Sequence, residues 1–405
     1  MTTAPPALEP PQLAVRRLVE ADAAAARALG QEAFGVPTEP PSEPATVDRP
    51  GQVWFGAFDG ETLAARMVDR SYDSYYGGAV VPTSGIAGVT VAAEYRGRGA
   101  LGPLFAETLA AARARVAVVS TLFPTAPRIY RRFGYEVVAD FFTAQVPTAA
   151  LASVNRPDHV RARRAGPADY PAIQAVYDAW AGQQNGPLTR RGVSFPATAE
   201  EYLEEFTGVT VAVDAGDSVL GYVSWSRGQG YGEKAVLEIT DLLATGPGAY
   251  QALLLAMGSF SSVTPQTRID TSGEDVLRTF LPTLDWRVVD SSPYMLRILD
   301  VAAALSLRRY PAGLTARLEF GLTGDFLADL DGGYLLDVDS GSARCRRAES
   351  ADRLLTPRGL ALTYAGAQSA ANLRTAGQLT GGDPAEDAVW DGLFGGRQAH
   401  IRDYF

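Results

Sequence analysis

Arg96-Gly97-Arg98-Gly99 is a short loop whose residue types could hold a phosphate group. It follows an apolar run at residues 86–91, a predicted strand, and precedes residues 101–116, whose apolar spacing predicts a helix. Such a loop turns successive backbone N–H groups toward one point at the positive end of a helix. A pyrophosphate at that point is stabilised. The glycines permit positive φ and close approach, and the arginines add charge. Because solvated turns can have the same composition, the loop alone leaves both interpretations open.

A second motif, Tyr130-x-x-x-Gly134-Tyr135, lies downstream. The loop and this motif together resemble the two hallmark motifs of the GNAT superfamily of N-acetyltransferases. The resemblance implies acetyl-coenzyme A as cosubstrate, with its pyrophosphate on the loop, a small-molecule amine as substrate, and no metal. The usual loop has Gly or Ala two places after its last fixed glycine, where this chain has Leu101. The cofactor-binding residues implied are Val89, Val91, Arg96, Gly97, Arg98, Gly99 and Ala100.

With Leu101 at this position, the loop resembles that of one branch, the enhanced intracellular survival (Eis) family of aminoglycoside and lysine N-acetyltransferases. That branch commonly carries a leucine pair there, of which Ala100-Leu101 keeps the second. Residues 82–86, 295–305, 343–345 and 364–367 also resemble its segments. The resemblance implies three domains, a homo-hexamer, and a third domain like a sterol carrier protein, whose last residues enter the active site of the first domain.

Acetyl transfer to an amine needs an uncharged amine, stabilisation of the developing oxyanion and a proton for the departing thiolate. Tyr130 is our predicted general acid, because a phenol of pKa about 10 is protonated at neutral pH; the alternative is a core tyrosine. The resemblance assigns the oxyanion to a backbone N–H near Val91. It also assigns the base to the terminal carboxylate of Phe405, with Asp403 as a weaker alternative and a merely docked tail as another.

The substrate pocket is suggested only by the resemblance. It implies a wide acidic pocket that accepts polyamines such as aminoglycosides, with Phe34 at the place of a pocket aromatic. The acidic and tryptophan positions that follow this aromatic in the branch have no clear match in residues 36–45. A lysine or a small polyamine is therefore an alternative substrate.

The elements that must position these residues form a predicted α+β / α/β multidomain fold. It has two GNAT-like mixed-sheet domains, the second degenerate, and a C-terminal sterol-carrier-protein-like domain, with boundaries at 1–150, 151–299 and 300–405. Residues 160–169 echo residues 15–22, which indicates a repeat. The second unit is called degenerate because its equivalent loop, Thr245-Gly246-Pro247-Gly248, lacks arginine and its proline removes an N–H donor.

In the first unit, strands are predicted at residues 15–18, 53–58, 63–72, 86–91 and 116–122, a first helix ends near residue 29, and a loop covers 38–50. In the second, strands are predicted at 220–225 and 236–242 and a helix at 249–257. In the third, a hairpin is predicted around 331–337, with helical patterns at 350–355 and 363–379.

Composition excludes several classes of function. A net charge of −10, from 36 basic and 46 acidic residues, argues against nucleic-acid binding; it favours either a cationic substrate or simply an acidic soluble surface. One cysteine and two histidines are too few for a disulfide framework or a zinc cluster. With neither a signal-peptide pattern nor an apolar stretch of ~18 residues, we expect a cytoplasmic protein without membrane contact.

Two rival functions remain open at this point. In the first, the protein is a lipid carrier whose third domain binds a hydrophobic ligand and whose acetyltransferase domain is vestigial. In the second, it is a structural assembly protein. The first predicts a sterol or acyl chain retained on purification and no coenzyme A binding. The second predicts that Arg96→Ala and Tyr130→Phe leave all measurable properties unchanged.

Overall fold

The computed structural model describes residues 13–37, 44–195, 198–349 and 351–405. Its strands form two sheets, one of twelve strands and one of five. The predicted loop at 38–50 falls partly outside the described residues; residues 44–50 contain no helix or strand.

The first unit contains most of the predicted elements; β2, β3 and β4 are longer than predicted, β1 has the predicted length and β5 is shorter. The bounds are β1 (Ala14–Arg17), α1 (Ala23–Phe34), β2 (Gln52–Asp59), β3 (Thr62–Tyr76), β4 (Ala79–Val91), α2 (Leu101–Ala114), β5 (Val119–Leu122), α3 (Pro127–Arg131), β6 (Glu136–Pro147) and α4 (Thr148–Leu151). Helix α1 buries Ala23, Ala26, Leu29 and Gly30, which lie on one face at helical spacing. This helix runs five residues beyond its predicted end and so carries Phe34 at its last position.

The second unit repeats this order of elements. The bounds are β7 (Arg161–Arg164), α5 (Tyr170–Ala181), α6 (Ala199–Glu204), β8 (Gly208–Val213), β9 (Val219–Arg227), β10 (Val236–Ala244), α7 (Pro247–Gly258), β11 (Gln266–Ser272), α8 (Leu277–Phe280) and β12 (Arg287–Ile298). The predicted strands at 220–225 and 236–242 and the helix at 249–257 are confirmed within two residues at each end.

The two units share one continuous sheet, in the order β1-β2-β3-β4-β5-β12-β6-β11-β10-β9-β8-β7. Strand β12, from the second unit, lies between β5 and β6 of the first and pairs antiparallel with both. Because β6 also pairs with β11, each unit completes the other's sheet. Removal of either unit would therefore leave strands of the other unit with unpaired edges.

The third unit packs helices against a small sheet of order β15-β14-β13-β16-β17. The bounds are α9 (Val301–Leu307), β13 (Ala316–Leu322), β14 (Gly332–Asp339), β15 (Ser342–Ala348), β16 (Leu354–Leu355), α10 (Pro357–Ala365), α11 (Ala370–Thr375), β17 (Leu379–Thr380) and α12 (Asp387–Phe394). The predicted hairpin is present as β14 and β15, with its turn at residues 340–341.

Two helix predictions in the third unit are wrong. Leu354–Leu355 is a strand, because it pairs parallel with β13, although residue 350 of that prediction lies outside the described residues. The predicted helix at 363–379 is two helices: α10 ends at Ala365, where Gly366 with φ of 69° caps it, and Ser369 caps the start of α11.

Candidate active site

A gap opens in the middle of the large sheet between β4 and β5. The two strands pair over only four positions, from Thr83↔Val119 to Ile86↔Leu122, although β4 continues to Val91. On its other edge β4 stays paired with β3 up to Val91. In the part of the chain that the structure describes, residues 87–91 therefore lack a strand on the β5 side. Their backbone groups are available to a ligand that enters the gap.

A β-bulge marks the start of this gap. Between the pairs Arg66↔Thr90 and Val68↔Ala87, β3 advances two residues while β4 advances three. Gly88, with φ of 57°, lies within the bulged segment of β4. A bulge bends its strand and re-aims neighbouring groups. It lies directly beside Val89, one of the two residues predicted to bond the pantetheine arm.

The predicted phosphate loop follows the end of β4. Gly97 and Gly99 have φ of 75° and 82°, and a β carbon at either would meet nothing within 4 Å. Among the described residues, the N–H groups of Gly97, Gly99 and Ala100 have no hydrogen-bond acceptor. Open space and unpaired amides at the start of α2 are what an anion needs at a helix N-terminus.

The two loop arginines have different positions. Arg96 Nε donates to the carbonyl of Val91 at 3.2 Å, which ties the loop to the end of β4. Arg98 is exposed, and its guanidinium lies 6.0 Å from the centre of the Tyr95 ring. Arg98 is thus free to turn toward an anion, and Arg96 first has to release or share a carbonyl.

Tyr130 lies in α3 and is 6% exposed. Its ring packs edge-on against Phe105 at 6.1 Å. Burial raises the pKa of Tyr130 to about 12, although a hydrogen bond with Thr125 opposes the shift. The phenol is therefore protonated throughout the neutral range. Packing of this kind suits a core tyrosine as well as a general acid.

Phe405 lies on the opposite face of the sheet from Tyr130. Successive residues of a strand point to opposite faces. In β5, Leu122 belongs to the same apolar core as Tyr130, whereas Val119 belongs to the core that contacts Phe405. The ring centre of Phe405 lies 5.0 Å from that of Tyr72 and 5.5 Å from that of Phe123. The predicted acid and base thus flank the gap from its two sides.

The tail that carries Phe405 is fixed by hydrogen bonds to the second unit. The N–H of His400 donates to the Asn185 carbonyl at 2.8 Å, and that of Ile401 to Ser272 Oγ at 3.0 Å. Arg402 Nη1 donates to the Asp270 carbonyl at 3.0 Å. The second unit therefore positions a residue at the gap of the first.

Asp403, the alternative base, is held in a buried ion pair. Arg190 Nε lies 2.7 Å from Asp403 Oδ1, and the hydroxyl of Tyr177 donates to Oδ2 at 3.3 Å. Burial raises the pKa of Asp403, and Arg190 opposes that shift. A carboxylate committed to a guanidinium is a weaker acceptor for a substrate proton than one without such a partner.

The second unit has an equivalent gap, which the tail fills. β10 pairs with β11 only from Val236 to Ile239, so its later residues diverge from β11 as β4 diverges from β5. Arg402 occupies this place, with Asp241 of β10 3.9 Å away and the carbonyl of Asp270 of β11 as acceptor. The prediction that this unit is degenerate thus gains a physical cause.

Phe34 lines a cleft of about 340 Å³ beneath α1. Trp54 forms another wall, and the charged residues that line it are Arg27, Arg49, Arg66 and Arg70. No described residue that lines this arginine cleft carries a carboxylate. The acidic lining that the resemblance implied is therefore wrong for the described part of the pocket beside Phe34.

A second cavity of about 320 Å³, the tail cavity, adjoins the arginine cleft at Arg70 and is lined by Tyr72 and Phe405. Most of its other charged residues form ion pairs, such as Arg190 with Asp241 and Arg191 with Asp178. Among the side chains that line it, four guanidinium groups match four carboxylates: Arg70, Arg190, Arg191, Arg402, Asp178, Glu205, Asp241 and Asp403.

Sequence reasoning missed Arg66 and Arg70, although a signal for them existed. They lie four residues apart in a predicted strand whose other members are largely apolar. Alternation places both on one face of β3, the face that also carries Tyr72. Charged residues at that spacing within a buried strand indicate a lined cavity.

Two further findings concern the described residues as a whole. None of their His, Cys, Asp and Glu side chains form a group of three or more that could hold a metal ion. No described helix is both long and apolar enough to cross a bilayer.

Comparisons with known families agree with this geometry. Residues 14–138 match a family model described as an acetyltransferase (GNAT) domain, and residues 301–402 match one described as a sterol carrier protein domain. The predicted fold class is thereby confirmed. An uncharacterized N-acetyltransferase of Streptomyces griseus is 30% identical over 406 residues, which cover 90% of this chain and 93% of the relative.

Solved structures share the whole architecture. A GCN5-related N-acetyltransferase from Kribbella flavida is 26% identical and superposes with a TM-score of 0.84, over 97% of this chain and 98% of that one. Eis1 from Mycobacterium abscessus is 21% identical, with a TM-score of 0.75 over 97% of this chain and 100% of its own. At that identity the second likeness shows the fold alone.

Proposed function

The chain belongs to the GNAT family of N-acetyltransferases, and on this premise we propose that it uses acetyl-coenzyme A to acetylate a primary amine of a small molecule. The observation that carries the proposal is the gap between β4 and β5, which ends at a loop with unpaired N–H groups. The unpaired part of β4 and the Gly–Arg loop that follows it both lie within residues 79–104. A chain kept only as a lipid carrier or assembly scaffold has no need of this gap or of unpaired loop N–H groups beside it.

The residues present suit the cofactor. Val89 and Val91 would offer main-chain bonds to the pantetheine arm, because their edge of β4 is free of β5. The amides of Gly97, Gly99 and Ala100 would hold the pyrophosphate, with Arg96 and Arg98 as counter-charges. Acetyl-coenzyme A supplies the activated thioester when it is bound.

Each proposed catalytic residue has a separate task. The N–H of Val91 stabilises the negative charge that develops on the acetyl carbonyl oxygen. The hydroxyl of Tyr130, kept protonated by burial, gives its proton to the departing thiolate. The α-carboxylate of Phe405 takes the amine's proton, directly or through water, from the opposite face of the sheet. Tyr130 and Phe405 thus handle two different protons, on opposite faces of the sheet.

The remaining finer assignments are proposals of the same kind. Membership of the Eis branch is proposed on the motif resemblance, because the likeness to Eis1 from Mycobacterium abscessus is one of fold alone. With that branch come the proposed three domains at 1–150, 151–299 and 300–405 and a homo-hexamer. A cytoplasmic location stays a prediction. Aminoglycosides, with lysine or a small polyamine as alternatives, are the substrates that the branch suggests. The arginine cleft does not support a polycation, because like charges would oppose its entry.

A thiol-release assay over a panel of amines tests this function. We expect acetyl-coenzyme A to lose its acetyl group only when an accepted amine is present, with the acetylated amine identified by mass spectrometry. A variant with extra residues after Phe405 should bind the cofactor normally but turn over slowly. Equal turnover by the extended chain would refute the role of the Phe405 carboxylate while leaving the transferase activity intact.

A further inference from the structure

Arg66 is a buried cation without a carboxylate partner in the described part of the chain. It is 7% exposed, and none of the ion pairs of the described residues includes it. Its guanidinium packs between Gly30 of α1 and Gly88 of β4, with the Trp54 ring 4.9 Å from its central carbon. Burial lowers the pKa of Arg66 to about 10, which records the cost of desolvating this charge. Natural proteins keep such unpaired charges chiefly at functional sites.

Several unsatisfied polar atoms lie on the same face of the sheet as this guanidinium. Four buried atoms lack a hydrogen-bond partner here: Arg66 Nε, Arg70 Nε, Thr90 Oγ1 and Trp54 Nε1. Arg66 lies directly opposite Thr90 in the β3–β4 ladder, and Val68 lies opposite Trp54 in the β2–β3 ladder. Since residues opposite one another point to the same face, all four atoms belong to one side of the sheet. Three are donors and the fourth is a hydroxyl, so together they suit an acceptor-rich ligand.

This cluster lies beside the reaction centre. Thr90 falls between Val89 and Val91, the residues proposed to hold the pantetheine arm and the oxyanion. Arg70, further along β3, lines both the arginine cleft and the tail cavity that contains Phe405. A ligand group bound to Arg66 and Arg70 therefore lies within a small molecule's length of the gap. At about 340 Å³, the arginine cleft has the size of a small-molecule site.

We propose that the amine substrate carries an anionic group, a carboxylate or a phosphate, which binds Arg66 and Arg70 while the amine enters the gap. The proposal rests on the proposed function and names the substrate class of that site. Guanidinium groups bind carboxylate and phosphate oxygens through paired, charge-assisted hydrogen bonds. Phe34 and Trp54 would flank the apolar part of the molecule.

Matched pairs of amines test the proposal. β-Alanine and ethylamine differ only by a carboxylate, and phosphoethanolamine and ethanolamine only by a phosphoryl group. We expect kcat/KM to be about 10- to 100-fold higher for the anionic member of at least one pair, the range of one charge-assisted hydrogen bond. The pair that shows the preference identifies the anion. Equal rates within both pairs, or a preference for the uncharged members, would overturn the proposal.

Variants assign the preference to the cleft. Arg66→Gln and Arg70→Gln should each remove most of the difference within the preferred pair, and Arg66→Lys should restore part of it. Arg156→Gln, at an exposed position outside the cleft, should keep the preference intact. If Arg66→Gln fails to fold by circular dichroism, the wild-type pairs and Arg70→Gln still decide. A preference that survives in both Gln variants would refute the role of these arginines.

Two controls separate this proposal from the cofactor and from the function itself. The affinity of wild type divided by that of Arg66→Gln should be the same for dephospho-coenzyme A as for coenzyme A. If this ratio differs between the two ligands, Arg66 binds the cofactor's 3′-phosphate and the proposal is overturned. Inorganic phosphate, titrated calorimetrically into the full chain, should bind wild type more tightly than Arg66→Gln even if no amine is acetylated. Failure of acetyl transfer with this difference present would refute the proposed function alone, and equal phosphate binding would refute the anion site.

Discussion

The ring of Phe405 lies against the backbone of Gly85, so that a β carbon at residue 85 would stand 2.9 Å from Phe405 Cε2. Gly85 is the third of the four β4 positions that pair with β5, and the gap begins after the fourth, Ile86. The last ring of the chain is therefore in register with the start of the gap. Absence of a side chain at residue 85 is what permits this contact.

Gly85→Ala should displace Phe405 and slow catalysis. The new methyl group would also stand 2.5 Å from Tyr72 Cε2, and overpacking of this kind costs about 1–3 kcal/mol. We expect kcat to fall about tenfold or more with little change in KM for acetyl-coenzyme A. Gly313→Ala, where a β carbon meets nothing within 4 Å, is the matched control and should retain wild-type kinetics. A fully active Gly85→Ala enzyme would show that the position of Phe405 does not matter.

Gly99→Ala should weaken cofactor binding. Its φ of 82° is unfavourable for alanine by about 1–2 kcal/mol, which would turn the loop amides away from the anion. Gly60→Ala carries the same backbone penalty, with φ of 58° and open space, in the turn between β2 and β3. Calorimetric titration with acetyl-coenzyme A should show about tenfold weaker binding for Gly99→Ala only. Similar losses in both variants would mean that general strain, not the loop, sets the affinity.

Tyr130→Phe should lower kcat about 10- to 100-fold and leave KM for acetyl-coenzyme A nearly unchanged, because the phenol acts only on the departing thiolate. Since burial raises the pKa of Tyr130 to about 12, its acid form persists to high pH. The wild-type pH–rate profile should thus have no descending limb from Tyr130 below about pH 11. A limb near pH 10 that disappears in Tyr130→Phe would contradict the buried, protonated phenol; an unchanged kcat in the variant would reduce Tyr130 to a core residue.

Docking of the tail should weaken in acid. Burial lowers the pKa of His400 from 6.5 to about 4; Arg402 adds to the shift and Asp275 opposes it. The unfolded chain therefore takes up a proton before the folded one does. The stability that neutral His400 contributes is complete above about pH 6.5 and is lost as pH falls through about 4, up to about 3 kcal/mol.

Urea unfolding between pH 7 and 4 measures this effect. His400→Gln should lose less stability over that range than wild type, since glutamine takes up no proton. His159→Asn changes the other histidine, which is exposed, and its stability should depend on pH as that of wild type does. Parallel pH curves for wild type and His400→Gln would contradict a buried, neutral His400.

Much of the first unit could be predicted from local patterns. The run from Ile86 to Val91, the Gly–Arg loop and the helix that follows are a contiguous stretch in which periodicity, turn chemistry and a known motif agree. The gap itself could be expected only from the resemblance, because no local pattern says where β4 leaves β5.

What sequence could not give was long-range pairing. The insertion of β12 between β5 and β6 joins residues 119–122 with residues 295–298, and nothing within either segment encodes the partner. The same holds for Arg66, whose significance depends on Gly30, Gly88 and Trp54 meeting around it. In the third unit, Leu354–Leu355 was wrongly predicted as helix because two residues become a strand only by pairing with β13.

Calorimetric titration of the purified full-length chain with acetyl-coenzyme A tests the central claim most directly. The account predicts saturable binding of one cofactor per chain, at the gap between β4 and β5, weakened by Gly99→Ala and unaffected by Gly60→Ala. If the folded protein takes up no acetyl-coenzyme A, the gap and the loop are not a cofactor site, and the proposed acetyl transfer is refuted.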